Sequence, residues 1–242
     1  MILAKKSDVG KVRAMNQDAC ACGEFPDGMA WAVVCDGMGG AASGDVASTT
    51  AVKIISERIQ SSYREGMQAN SIRSVLFSAI EAANAVVYEM SCSNPAFEGM
   101  GTTVVASIIR QDAVYVAHAG DSRAYRVTET GITQLTRDHS MVQAMVDRGQ
   151  ITPLEARDHP RKNIITRALG VDSRILIDFC EEPFEPNDVL LICTDGLTNM
   201  VDDESIFRLS QESAAGELPE KLVSLANQNG GQDNVTVVTI AS

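Results

Sequence analysis

The 242-residue chain is 45% hydrophobic and 21% charged, an ordinary globular composition whose length suits one large domain or two small ones. Its 32 acidic against 20 basic residues give a formal charge of −12, which repels nucleic-acid backbones and anionic lipid, so neither nucleic acid nor membrane is expected as a partner. No 18-residue apolar stretch is expected anywhere and the opening MILAKKS leaves no room for a signal-peptide core, so a cytoplasmic protein is expected. Six cysteines (20, 22, 35, 92, 180 and 193) form no C-x-x-C pair and read as reduced thiols, and three scattered histidines argue against a zinc site.

In chain order, the first clear element is AWAVVCD (30–36), a solid apolar run typical of a buried strand. After Ser43, a plausible N-cap, the spacing of Val46, Ala47, Ala51, Ile54, Ile55 and Ile59 predicts a helix with Asp45 in its first turn. Apolar residues at 72, 75, 76, 79, 80, 83, 86, 87 and 90 predict a second, long helix over 70–90. The blocks 101–110, 113–127 and 131–136 are separated by only two or three residues, which predicts hairpins and an antiparallel meander. TPLE (152–155) announces a short helix with a capping box and Pro at its first position. DVLLICTD (188–195) and NVTVVTIA (234–241) read as strands flanking a helical region of about 30 residues. The absence of repeats and long linkers favours one domain, and the fold class is α+β, antiparallel sheet covered by amphipathic helices.

Four of these strands carry an aspartate at one end: Asp36, Asp121, Asp195 and Asp233. Any one alone fits an Asx-turn or a helix cap. If the four ends meet on one edge, their charges repel unless cations lie among them, and oxygen-only ligation selects hard ions such as Mg²⁺ or Mn²⁺. The glycines following Asp36 and Asp195 let backbone atoms approach such an ion or its waters.

RAMNQD (13–18), DGMGG (36–40), GMGTTVV (99–105), AGDSRAY (119–125), LTRDHS (135–140), ITPLEARDHP with NIITRALG (151–170), LLICTDGLT (190–198) and GGQDNVTVV (230–238) occur in the order found in bacterial metal-dependent protein phosphatases, the PPM or type 2C serine/threonine phosphatases. The chain resembles that family over nearly its whole length. The resemblance implies a sandwich of two antiparallel β-sheets flanked by α-helices, four-layer αββα, with residues 1–242 forming a single catalytic domain and a flap subdomain at about 140–170. It implies two Mn²⁺ or Mg²⁺ ions and a third, weaker one. Asp36 would bridge both metals, the Gly37 carbonyl would bind one of them, Asp195 and Asp233 would hold the other, and Asp18 would act on the second metal. Asp121 with Asp195 would support the third ion, Arg13 would grip the substrate phosphate, and Asn234 would back the last ligand. The implied reaction is hydrolysis of phosphoserine and phosphothreonine by a water bridging the metals, on protein substrates and in opposition to a cytosolic Ser/Thr kinase, by a monomer.

Two positions depart from the family pattern. Many bacterial relatives have His after DGMGG and many eukaryotic ones have DGH, where this chain has Ala41 and Met38. The expectation is that a metal-bound water, or a group elsewhere, protonates the leaving oxygen. His139 and His159 remain candidates by type but are expected to be structural, and His118 is expected to be a hydrogen-bonded core residue. The competing readings are a pseudophosphatase that binds phosphoproteins and a metallohydrolase for a small phosphorylated metabolite. An intact carboxylate set disfavours the first, and an open cleft would disfavour the second.

Overall fold

The computed structural model describes residues 1–40, 43–110 and 112–241; Ala41 lies outside the described residues. The strands in chain order are β1 (Ile2–Asp8), β2 (Asp18–Glu24), β3 (Ala30–Met38), β4 (Gly101–Thr102), β5 (Val104–Arg110), β6 (Ala113–Ala119), β7 (Arg123–Val127), β8 (Ile132–Gln134), β9 (Asp178–Pro183), β10 (Val189–Cys193) and β11 (Val235–Ala241). The helices are α1 (Gly44–Ser62), α2 (Ala69–Ser93), α3 (Met141–Asp147), α4 (Pro153–Arg157), α5 (Asp195–Thr198), α6 (Asp203–Gln211) and α7 (Leu218–Gln228). One sheet has the order β1-β11-β10-β7-β8 and the other β2-β3-β5-β6-β9, with β4 paired to the end of β3, and the pairings within both are antiparallel.

Side-chain alternation along the strands creates three apolar layers. On β3, Trp31, Val33 and Cys35 join Ile55, Ile59, Leu76 and Ile80 of α1 and α2, while Ala30, Ala32 and Val34 face the other way, toward Leu190, Ile192, Val238 and Ile240 of the opposite sheet. Those two strands send Leu191, Cys193, Val235 and Val237 outward to Leu197, Leu222 and Ala226 of α5 and α7. The result is the expected helix–sheet–sheet–helix stack. Strands packed on both faces have no reason to alternate polar with apolar, which is why β3, β10 and β11 read as solid runs.

Three expectations need correction. The segment 113–127 is not one strand of a meander: β6 belongs to one sheet and β7 to the other, and the chain crosses between them at Gly120–Ser122. Gly120 makes the crossing with φ of +117°, a conformation that favours glycine, and a Cβ there would lie 2.6 Å from Thr103. Ser43 stands at the N-cap position of α1 as expected, but its side chain accepts from no helix amide, the hydroxyl donating to the Gly40 carbonyl instead. Finally, α2 is long and apolar enough by length and composition to span a membrane, contrary to the expectation that no such stretch exists. Its apolar face, including Ile72, Leu76, Ile80 and Val87, is buried against α1 and the β3 sheet, which accounts for that hydropathy. The capping box at Thr152–Glu155 forms as expected, and the six cysteines are free thiols.

Candidate active site

The layer between the sheets is apolar along most of its length and acidic at one end. On β3 the face that carries Ala30, Ala32 and Val34 ends at Asp36, and its register partner on β2 is Asp18. At the same end, Asp121 sits where the chain crosses between sheets, Asp195 opens α5 directly after β10, and Asp233 precedes β11. Arg13, Asp36, Gly37, Asp121, Asp195, Asp233 and Asn234 line one cavity of about 200 Å³. Asp18 lies behind it, buried, with Oδ2 accepting a 2.9 Å bond from Thr194 Oγ1. Its Oδ1 is buried with no hydrogen-bond partner.

These carboxyls are held in conditions that disfavour their charge. Burial, reinforced by Asp195 and Asp233, pushes Asp18 up to about 7. Burial and the neighbouring aspartates raise Asp36 well above the usual carboxylate range. Burial raises Asp121 to about 8 and Asp195 to about 6, the latter against hydrogen bonds that favour its charged form. The counter-charge lining the cavity is Arg13, whose Nη2 lies 2.7 Å from Asp233 Oδ2; Arg123, which also favours a charged Asp121, is already paired with Asp138. One guanidinium does not balance five carboxylates. An all-oxygen donor set with excess negative charge and an unpartnered buried oxygen fits hard divalent cations.

Local chemistry fixes each member. The Asp36 amide donates to Thr103 Oγ1 and the Thr103 amide to the Asp36 carbonyl, both 2.9 Å, and Thr103 Oγ1 also shares a 2.7 Å bond with Ser122 next to Asp121. Asn199 Nδ2 donates to Asp195 Oδ2 at 2.9 Å. Asn234 accepts from the Gln17 amide and donates to the Val9 and Met15 carbonyls, so it staples the 9–17 loop that carries Arg13 and leads into Asp18. The glycines after Asp36 and Asp195 answer first to backbone packing: a Cβ at Gly37 would overlap the Gly44 carbonyl, and one at Gly196 the Asn234 carbonyl. Thr103, Ser122, Thr194 and Asn199 were not singled out from the sequence, although each lies within, or one residue beyond, a motif quoted for the resemblance.

No histidine lines the cavity among the described residues, whereas Met38 does. His159 lies just beyond α4, where Nδ1 accepts from the Arg161 amide. His118 and His139 are buried and stacked, ring centroids 4.8 Å apart at 7°, with Asp178 beside them. An imidazole lone pair lies in the ring plane, so two parallel rings cannot both aim at one ion, and the Arg167 guanidinium already sits 2.7 Å from Asp178. This cluster is a hydrogen-bonded strut rather than a metal site.

A layered fold with convergent carboxylates and one arginine at the sandwich end defines a metal-dependent phosphohydrolase class. The family model for protein phosphatase 2C matches residues 11–227. The serine/threonine phosphatase stp of Listeria monocytogenes is 38% identical over 97% of this chain and 93% of its own length. The structure of serine/threonine phosphatase Stp1 from Staphylococcus aureus superposes with a TM-score of 0.93 at 35% identity, covering 99% of this chain and 94% of that one. The catalytic domain of serine/threonine phosphatase PstP, solved in complex with two manganese ions, does so at 0.86 and 34% identity, covering 98% and 96%. The chain belongs to the protein phosphatase 2C family. A protein phosphatase acts on phosphorylated proteins, and these are its substrates.

Proposed function

We propose that this protein hydrolyses phosphoserine and phosphothreonine esters on proteins, using two Mn²⁺ or Mg²⁺ ions and a third, weaker one. The carrying observation is the set of Asp36, Asp121, Asp195 and Asp233 lining one cavity with Arg13, backed by the unpartnered Asp18 Oδ1. Asp18, Asp36, the Gly37 carbonyl, Asp195 and Asp233 hold the ion pair, and Asp121 with Asp195 serves the third. Bound there, such ions supply Lewis acidity, making water a nucleophile near neutral pH and offsetting phosphoryl charge. The reaction is monoester plus water to alcohol plus inorganic phosphate. Arg13 turns from Asp233 toward the ester, its planar fork donating two parallel hydrogen bonds to phosphoryl oxygens. Asn234 and Asn199 keep the loop and Asp195 in place while the ester binds.

Asp121 and Asp195 also line a second cleft of about 730 Å³ that runs along α3, α4 and α6. An open cleft beside the reactive end suits a polypeptide better than a small metabolite. Residues 1–242 act as one catalytic domain whose flap, about 140–170, borders that cleft. The working form is a cytoplasmic monomer opposing a Ser/Thr kinase, with no membrane or nucleic-acid partner. The test is hydrolysis of p-nitrophenyl phosphate and of a phosphothreonine peptide with Mn²⁺, Mg²⁺ or chelator, beside Asp195→Asn. Metal-dependent turnover of both substrates that collapses in the variant supports the reading. Folded protein with no turnover under any metal sinks it and favours a phosphoprotein-binding role.

A further inference from the structure

The segment returning from the flap, residues 164–167, and the Asp121 loop meet at one side chain, His139. The flap root is closed by the Thr166 amide donating to the His139 carbonyl at 2.7 Å and by the Met141 amide donating to Ile164 at 2.8 Å. Arg167, the next residue but one after the Ser140–Ile165 bridge, donates to Asp178 Oδ1 at 2.7 Å, and Asp178 Oδ2 lies 3.1 Å from His139 Nε2. On its other side His139 holds Gly120 twice: the His139 amide donates to the Gly120 carbonyl at 2.9 Å, and the Gly120 amide donates to His139 Nδ1 at 3.1 Å. Gly120 immediately precedes Asp121 and packs on Thr103, which in turn bonds Asp36.

The Gly120 amide decides the tautomer. A backbone amide can only donate, so Nδ1 must present a lone pair, and in a neutral ring the hydrogen then resides on Nε2. There it meets Asp178, which also accepts from Arg167 Nη1 at 2.7 Å; the same Nη1 lies 3.1 Å from Nε2, a contact that carries no hydrogen bond in this tautomer because both nitrogens are donors. The stacked His118 fixes the ring plane, itself anchored by Nε2 to the Arg137 backbone at 3.0 Å.

We propose that His139 is a positioning residue: as the Nε2–H tautomer it clamps the Gly120 amide through Nδ1 and so sets the Asp121 loop. It touches neither substrate nor metal. The proposal deepens the phosphatase reading and rests on it for its effect on activity, whereas the clamp itself is readable without turnover.

Three variants separate the parts. Asn places Oδ1 where Nδ1 stands and keeps the acceptor for Gly120; Gln reaches the Nε2 position and loses that acceptor; Ala loses both. In chelated protein, hydrogen–deuterium exchange at the Gly120 amide should match wild type in His139→Asn and quicken about tenfold in His139→Gln and His139→Ala, as for loss of one buried hydrogen bond. Long-range ¹H–¹⁵N spectra of the wild-type imidazole should show the Nε2–H pattern. The Mn²⁺ concentration giving half-maximal p-nitrophenyl phosphate hydrolysis should rise about tenfold in the Ala and Gln variants and recover in the Asn variant, with KM for the ester nearly unchanged. An Nδ1–H tautomer overturns the proposal even if no variant folds. So does a Gly120 amide equally exposed in the Asn and Ala variants, or an unchanged manganese requirement in folded His139→Ala. Failure of wild-type protein to turn over substrate would strike the phosphatase reading alone, because exchange and tautomer still report on the clamp.

Discussion

Asn234 has its three side-chain hydrogen bonds on one loop: Gln17 donates to it, and Val9 and Met15 accept from it. Asn234→Ala strands those backbone groups in a buried setting, which should cost about 1–3 kcal/mol of stability. Turnover should fall further than the lost stability explains, because Gln17 leads directly into Asp18 and the same loop carries Arg13. Thermal melts paired with p-nitrophenyl phosphate kinetics check this, and a variant with wild-type melting and turnover would remove Asn234 from the supporting set. The leaving group gives a second prediction. With Met38 on the cavity wall and no histidine there among the described residues, no imidazole is placed to protonate a departing alkoxide. Phosphoserine-like alkyl esters should therefore be handicapped against aryl esters by about 10²-fold, the lower end of what a positioned acid contributes. Equal kcat and equal pH dependence for the two classes would point to an acid elsewhere in the site.

Helix α4 shows how a short piece of structure stands on local chemistry. It buries none of its residues, so the Thr152–Glu155 capping box and Pro153 supply most of what holds it. Thr152→Ala should cost about 1 kcal/mol locally while leaving global melting unchanged. Because Pro153, Leu154 and Arg157 line the larger cleft, KM for a phosphopeptide should rise while KM for p-nitrophenyl phosphate stays put. A parallel change in both would mean that α4 does not serve peptide binding. That box was legible in four letters, as were α2 and the doubly buried β3, β10 and β11, whose contacts impose a period or a solid apolar run. Edge strands were not: β1 alternates between exposed and half-buried residues, β2 reads DACACGE, and β9 carries two adjacent glutamates. The passage of β7 into the second sheet was illegible because a short gap fixes where a strand starts, not which sheet it joins. The four aspartates at strand ends were visible as a pattern, whereas Asp18, Arg13 and Asn234 were reached only through the family resemblance. The bonds of His139 to Gly120 and Asp178 span 19 and 39 residues, and no local pattern encodes them.

The chain as a whole carries a formal charge of −12 and gathers several of its aspartates at one end of the sandwich. That arrangement opposes folding when no cation is present. A carboxyl whose folded pKa lies above its unfolded value binds more protons folded than unfolded, so its contribution to stability declines as pH rises between the two values. From the ordinary 3.8, Asp195 is raised to about 6, Asp18 to about 7 and Asp121 to about 8, each chiefly by burial. Asp36 moves in the same direction for the same reason. Chelated protein should therefore lose stability from this cluster steadily as pH rises from the unfolded value through about 8. Groups such as Asp147 and Asp202, lowered by hydrogen bonds to Arg137 and to the Ser205 amide, respectively, act in the opposite sense. They lie outside the cavity and act alike with and without metal, so they cancel in a difference. The difference in melting temperature between saturating Mn²⁺ and chelator should accordingly be small at about pH 5.5 and widen toward about pH 8, as linkage between metal and proton binding requires. A difference independent of pH would mean that the cation is held by groups whose protonation folding does not disturb, and the buried carboxylates would then lose their claim to be its ligands.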